Sequence, residues 1–200
     1  MTYPLVSAHA DLVAEAYQEY ILPLVSRTFA LTIPQLPSPL RLVVSNAYLL
    51  CRIADTIEDE PVLSPADKGR FQETFSAVVA GRVGSEVLSA ELHPLLSART
   101  LAAERELVRN MALILRLTAG FTAPQRAAID RCVAIMCHGM HRFSRNADPG
   151  GLQDLRELDR YCYYVAGVVG EMLTDLFCEH SREMAENRDA LYRLSPSFGI

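Results

Sequence analysis

Apolar residues recur along this chain at spacings of three and four, and no stretch alternates apolar and polar positions convincingly enough to read as a strand. The pattern predicts a first helix over about Asp11 to Tyr20, after which Pro23 opens a short helical stretch through Ser26-Arg27-Thr28-Phe29. Pro34-Gln-Leu-Pro-Ser-Pro39 reads as a proline-punctuated connection. Ser38 then caps a helix that has Pro39 at its first position and runs to about Glu60, where Pro61 stops it. Ser64-Pro65-Ala-Asp67 repeats the start signal of cap, proline and acid, and that helix runs to about Val79 before Gly81 and Gly84 loosen the chain. A further helix spans roughly Thr100 to Thr118 and ends at Gly120. Thr122-Ala-Pro-Gln125 has the spacing of a capping box and opens a helix to about Arg145. Asn146-Ala-Asp-Pro-Gly-Gly151 is a turn cluster. Two more helices are expected, Asp154 to Phe177 and Arg182 to about Tyr192. There is no internal repeat, low-complexity tract or clear linker, so the expectation is a single all-α bundle.

One of these helices carries a chemical stripe. In Tyr48-Leu-Leu-Cys-Arg52-Ile-Ala-Asp55-Thr-Ile-Glu58-Asp59, a turn of about 100° per residue puts Tyr48, Arg52, Asp55 and Asp59 on one face, with Glu58 at its edge. Leu50, Ile53 and Ile57 fall opposite. Three carboxylates this close repel one another, and at a helix C-terminus they also oppose the macrodipole. A divalent cation among them reverses both costs. Oxygen-only ligands suit a hard ion such as Mg²⁺, which completes its shell with water and substrate phosphates. Arg52, one turn upstream, would then meet a phosphate oxygen. The competing reading is a solvated acidic face; the helix dipole and the aromatic Tyr48 both argue against it.

Composition narrows the classes. Half of the 200 residues are hydrophobic, enough for a sizeable core. A net charge of −5 argues against nucleic acid as partner but leaves small anionic substrates open, since a local basic group outweighs the global sign. No apolar run is long enough to span a bilayer, and the N-terminus has neither a basic start nor a long apolar segment, so no signal peptide is read. The five cysteines, Cys51, Cys132, Cys137, Cys162 and Cys178, lack paired zinc-ligand spacing and read as reduced, buried thiols of a cytoplasmic protein.

A second constellation is Tyr161-Cys-Tyr-Tyr-Val165-Ala-Gly167-Val168-Val-Gly170, which places β-branched residues and two glycines in an expected helix. Each such glycine costs ~1 kcal/mol relative to Ala, so that side suits close helix packing. On a helical wheel Tyr161, Val165, Val168 and Met172 share the other face, which reads equally as ordinary core or as the wall of an apolar site. A phenol such as Tyr161, buried among valines, needs a partner for its hydroxyl.

Together these blocks resemble the squalene/phytoene synthase family of head-to-head prenyl transferases. The matches run in order: Ser26-Arg27-Thr28-Phe29, then Tyr48 to Asp59 with its Asp-Thr-Ile-Glu-Asp form, then Asp159 to Gly170, with Cys137-His-Gly139-Met140 like the small-residue helix that precedes the last. The Asp-Thr-Ile-Glu-Asp form is closer to squalene synthases than to phytoene synthases. The resemblance implies an all-α isoprenoid-synthase bundle around a central apolar cavity, of which residues 1–200 would be the N-terminal portion. Family members continue into a second Asp-rich motif beyond the block ending at Ile200. The acid pair Asp175 and Glu179 does not align with that motif and reads as an exposed helix pair.

The implied reaction is Mg²⁺-dependent condensation of two farnesyl diphosphates to presqualene diphosphate, followed in squalene synthases by reduction with NADPH. Asp55, Glu58 and Asp59 would hold Mg²⁺. Arg27 and Arg52 would clamp phosphate oxygens, with Tyr48 positioning the same group. Thr28 and Phe29 would line the cavity mouth, Tyr161 would sit near the cation or serve with diphosphate as proton acceptor, and Val165 and Val168 would pack on the prenyl chains. The apolar product implies peripheral membrane contact. Two alternatives stay open: phytoene-type condensation of geranylgeranyl diphosphate, and a non-catalytic helical module that binds or assembles.

Overall fold

The computed structural model describes residues 4–26, 28–145 and 151–198, so Arg27 and the expected turn over 146–150 lie outside the described residues. Among the described residues there are helices and no strands. The α-helices are α1 (Pro4–Val25), α2 (Phe29–Thr32), α3 (Ser38–Asp59), α4 (Pro65–Val79), α5 (Ser85–Leu92) and α6 (Ala102–Arg109). They continue with α7 (Met111–Gly120), α8 (Ala123–Arg145), α9 (Leu155–Cys162), α10 (Val168–His180), α11 (Arg182–Glu186) and α12 (Arg188–Leu194). The all-α expectation holds.

Local chemistry sets several boundaries where they were read. Ser64 caps α4, its hydroxyl accepting from the Asp67 N–H at 3.1 Å. The capping box at α8 is reciprocal: the Gln125 N–H donates to Thr122 Oγ1 at 3.3 Å, and the Thr122 N–H donates to Gln125 Oε1 at 3.1 Å. Asp154 caps α9 by accepting from the Glu157 N–H at 2.7 Å.

Other boundaries differ from expectation. Helix α1 continues through Pro23 to Val25, because Ile21, Leu22 and Val25 are all buried and their packing outweighs the ~3 kcal/mol a mid-helix proline costs. The chain restarts only at Phe29, not at Pro23. Helix α5 was not read at all; Leu88 and Leu92, one turn apart, bury its inner edge. The helix expected from Thr100 to Thr118 breaks at Asn110 (φ −105°, ψ 19°) into α6 and α7. The last expected helix breaks likewise at Asn187 (φ −104°, ψ 11°). The helix expected from Asp154 to Phe177 is interrupted by one turn of π-helix over Tyr163–Gly167.

The core forms around α3, α4, α8 and α10, with α8 lying along α4, α10 and α3. Leu49, Leu50, Ile53 and Ile57 of α3 are wholly buried, as are Phe71 and Phe75 of α4. Each such side chain contributes about 1.5–3 kcal/mol. Two buried polar groupings fix the frame. Asn46 Nδ2 donates to Gln18 Oε1 (3.1 Å) and to the Ile114 carbonyl (2.8 Å), while Thr118 Oγ1 donates to Asn46 Oδ1 (2.7 Å), tying α1, α3 and α7 together. The Glu60 carboxylate, at the end of α3, accepts from the Val62 and Ser97 N–H groups and from Thr100 Oγ1 at 3.0, 2.8 and 2.6 Å. That anchor fixes the end of the helix that carries the stripe.

Candidate active site

The stripe faces outward from the core, as its composition demands. Asp55, Glu58 and Arg52 are half-buried and Asp59 is exposed, while Ile53, Ala54 and Ile57 between them are sealed inside. Arg52 Nη1 stands 3.6 Å from Asp55 Oδ2 and 3.8 Å from Glu104 Oε1 of α6. Its Nε is buried and has no partner among the described residues. Burial alone would lower the Arg52 pKa, but Tyr48, Asp55 and Glu104 together raise it above its ordinary value. Tyr48 donates its hydroxyl to the Val25 carbonyl at 3.3 Å, and its ring lies 5.3 Å from that of Phe29. Phe29 and Thr28 are exposed at the start of α2. The structure thus brings Phe29 beside Tyr48, on the helix that carries Arg52 and Asp55; among the described residues Thr28 makes no hydrogen bond with them, and the expected partner Arg27 lies outside the described residues.

The second constellation meets the first at Glu58. The Tyr161 hydroxyl donates to Glu58 Oε1 at 3.4 Å. This is the partner the phenol required, and its ring neighbour is Phe143, edge-on at 5.3 Å, in place of the expected valines. The main chain of Glu58 is held from another side, since Lys68 Nζ of α4 donates to its carbonyl oxygen. A cleft of about 400 Å³ opens at this junction. Leu63, Pro65, Phe143 and Leu152 line it, and its polar end carries Glu58, Lys68 and Tyr161.

Val165 and Val168 separate. Val168 is 1% exposed and belongs with Met172 in the core, whereas Val165 packs partly buried at the core's margin. The π turn between them explains the difference: its wider coil shifts the phase of a straight wheel, so Tyr161 and Val168 no longer share one face. The glycines do permit close approach. A Cβ on Gly170 would lie 2.1 Å from the Ser195 carbonyl oxygen, and one on Gly139 would lie 2.2 Å from the Tyr164 ring.

Electrostatics at the stripe are those of an uncompensated acidic cluster. Burial pushes Asp55 up to about 6; Arg52 pulls it back, and Asp59 and Glu104 push it further up. Burial, then Asp55 and Asp59, push Glu58 up to about 7 against the pull of Lys68 and Tyr161. Burial and Glu58 hold Tyr161 up near about 12, so it is a neutral phenol at pH 7. Burial and mutual repulsion raise Asp55 and Glu58, a cost that a hard cation would offset, and the all-oxygen set of Asp55, Glu58 and Asp59 suits Mg²⁺ over a thiolate- or imidazole-binding metal. Among the described residues no group of three or more His, Cys, Asp or Glu side chains is arranged so that it could hold a metal ion by itself. Mg²⁺ does not require one, since it is usually held by one or two carboxylates plus substrate phosphates.

Two readings are corrected. Asp175 is not an exposed helix residue: its side chain is 11% exposed and pairs with Arg131 and Arg188, with the Tyr192 hydroxyl donating to it at 3.1 Å. It locks α12 onto α8 and α10. Cys162 is only half-buried, whereas the other four cysteines are buried; all five are free thiols. Residues near the stripe that the sequence did not single out are Lys68, Glu104 and Phe143. They arrive from three other helices, and only the fold brings them to α3.

The squalene/phytoene synthase family model matches residues 22–200. The squalene synthase R6 of Phoma sp. is 31% identical over 160 residues, which cover 80% of this chain and 36% of that protein. The squalene synthase BSS of Botryococcus braunii is 32% identical over 161 residues, covering 78% of this chain and 31% of that protein. The solved TcSQS complex with the ligand BPH1237 shares the fold at a TM-score of 0.74 and 24% identity, over 92% of this chain and 50% of that one. The chain therefore spans about a third of the length of the curated relatives it matches. With the ordered blocks on α3 and α9–α10 now joined at Glu58 and Tyr161, and a family model matching from α1 to Ile200, the chain belongs to the squalene/phytoene synthase family.

Proposed function

We propose that this site serves the head-to-head condensation of two farnesyl diphosphates to presqualene diphosphate and, with NADPH, to squalene. The observation that carries it is the meeting of the two constellations: a neutral phenol, Tyr161, 3.4 Å from one carboxylate of a three-acid stripe, at the polar end of an apolar cleft. Asp55, Glu58 and Asp59 would hold Mg²⁺, which supplies Lewis-acid stabilisation of the leaving diphosphate. Arg52 offers a guanidinium to phosphate oxygens from its station between Asp55 and Glu104. Tyr48 orders that side by fixing the end of α1 against α3. The rings of Tyr161 and Phe143 present π-faces and edges where an allylic cation would need them, and the leucines of the cleft exclude water from it. As the first substrate's C–O bond breaks, the second substrate's double bond supplies the electron pair. The proton lost on closing the cyclopropane goes to the departed diphosphate, with Tyr161 orienting it.

The test is incubation of the protein with farnesyl diphosphate and Mg²⁺, with and without NADPH, followed by mass spectrometry. The expected products are presqualene diphosphate without the reductant and squalene with it. Consumption of geranylgeranyl diphosphate in preference would move the assignment to phytoene-type condensation. Release of diphosphate from neither substrate by a folded protein would overturn catalysis in favour of a helical binding module.

A further inference from the structure

Lys68 stands at the polar end of the cleft, which Arg52 does not line. It comes from the first turn of α4, held there by the Ser64 cap and by its own N–H to the Ser64 carbonyl at 2.9 Å. Its ammonium has three donors, and one goes to the Glu58 carbonyl at the C-terminal end of α3. Among the described residues no other partner takes the remaining two. The negative end of the α3 dipole and three carboxylates lie on this side, so an arriving polyanion meets a repulsive field. Arg52 is already engaged by Asp55 and Glu104. Among the described residues that line the cleft, Lys68 is the cation, and Leu63 and Pro65 line it with Lys68.

Resting on the prenyl diphosphate reading above, we propose that Lys68 is a further positioning residue of this site: it uses its free N–H groups to hold the phosphate head of an amphipathic substrate whose chain lies in the cleft lined by Leu63, Phe143 and Leu152. Its bond to the Glu58 carbonyl sets the position of the ammonium and keeps it aimed along the wall of the cleft. A point charge on a flexible stem suits a phosphate that moves as its bond to carbon breaks, where a rigid guanidinium fork would not follow it.

The test uses inorganic pyrophosphate as probe, titrated calorimetrically into the protein in Mg²⁺, and Mg²⁺ titrated alone, for the native protein, Lys68→Met and Lys68→Arg. Circular dichroism checks the fold of each. The expected result is a loss of about ten-fold or more in pyrophosphate affinity for Lys68→Met, near-native affinity for Lys68→Arg, and unchanged Mg²⁺ affinity in both. If Lys68 only props the end of α3, Lys68→Met weakens Mg²⁺ and pyrophosphate binding in parallel, and the proposal fails. Native pyrophosphate binding by Lys68→Met overturns it while leaving the prenyl diphosphate reading standing. A native protein that binds no pyrophosphate in Mg²⁺ overturns both.

Discussion

At the scale of single residues, neighbouring acids on α3 have opposite fates. Glu60 is buried with three donors, which hold its carboxyl below the ordinary range despite burial. Glu60→Gln keeps the shape but turns an acceptor toward N–H groups into a competing donor; it should cost about 2–3 kcal/mol, read as a fall in Tm. Asp55 and Glu58 lean the other way, raised to about 6 and about 7. A raised carboxyl binds its proton more tightly in the folded state than in the unfolded chain. Without metal, stability from these two groups should therefore rise as pH falls from about 8 to about 5. Thermal melts in chelator across that range check this, and a flat or falling Tm would contradict it. Saturating Mg²⁺ should abolish the slope. In turnover, Asp55→Ala should eliminate diphosphate release without unfolding the protein, and Tyr161→Phe should lose the cyclopropyl product. Wild-type turnover in either would remove that residue from the chemistry.

At the scale of elements, capping and close approach were legible to different degrees. Thr122 and Gln125 could be read from four consecutive residues because a capping box is local, and the reciprocal bonds are there. Thr122→Ala should lower stability by about 1 kcal/mol. Helices α1 and α5 were misread because their ends are decided by burial of Ile21, Val25, Leu88 and Leu92 against other elements, which no local signal records. Gly170 was read rightly as a place for close packing, though its partner, the turn at Ser195, was not. Gly170→Ala sets a Cβ against a backbone carbonyl that cannot rotate away, so it should destabilise by about 2 kcal/mol or more and loosen the segment after α12.

At the scale of the whole molecule, the all-α architecture was legible because the periodicity of three and four runs nearly end to end. The site was half legible. Tyr48, Arg52, Asp55, Glu58 and Asp59 lie on one helix, and a wheel finds them. Lys68, Glu104 and Phe143 converge on that helix from α4, α6 and α8, and only the tertiary fold reveals them. Asp175 shows the converse, since its pairing with Arg131 and Arg188 makes it a clamp between helices. Asp175→Asn should leave pyrophosphate binding intact while lowering Tm, because Arg131 and Arg188, which do not line the cleft, lose their shared counter-charge.

The π turn at Tyr163–Gly167 has a consequence for insertion and deletion. Such a turn is an α-helix that has taken in one residue, and here it stands between the phenol and the core residue Val168. Removing Val165 would give a more regular helix, and the core would hold α10 where it is. Helix α9 would then swing by ~100° and slide by ~1.5 Å relative to α10, carrying the Tyr161 hydroxyl away from Glu58. The turn of unequal pitch is a vernier between scaffold and site: a chain shortened at Val165 should keep its helical circular dichroism, yet lose the phenol's bond to Glu58.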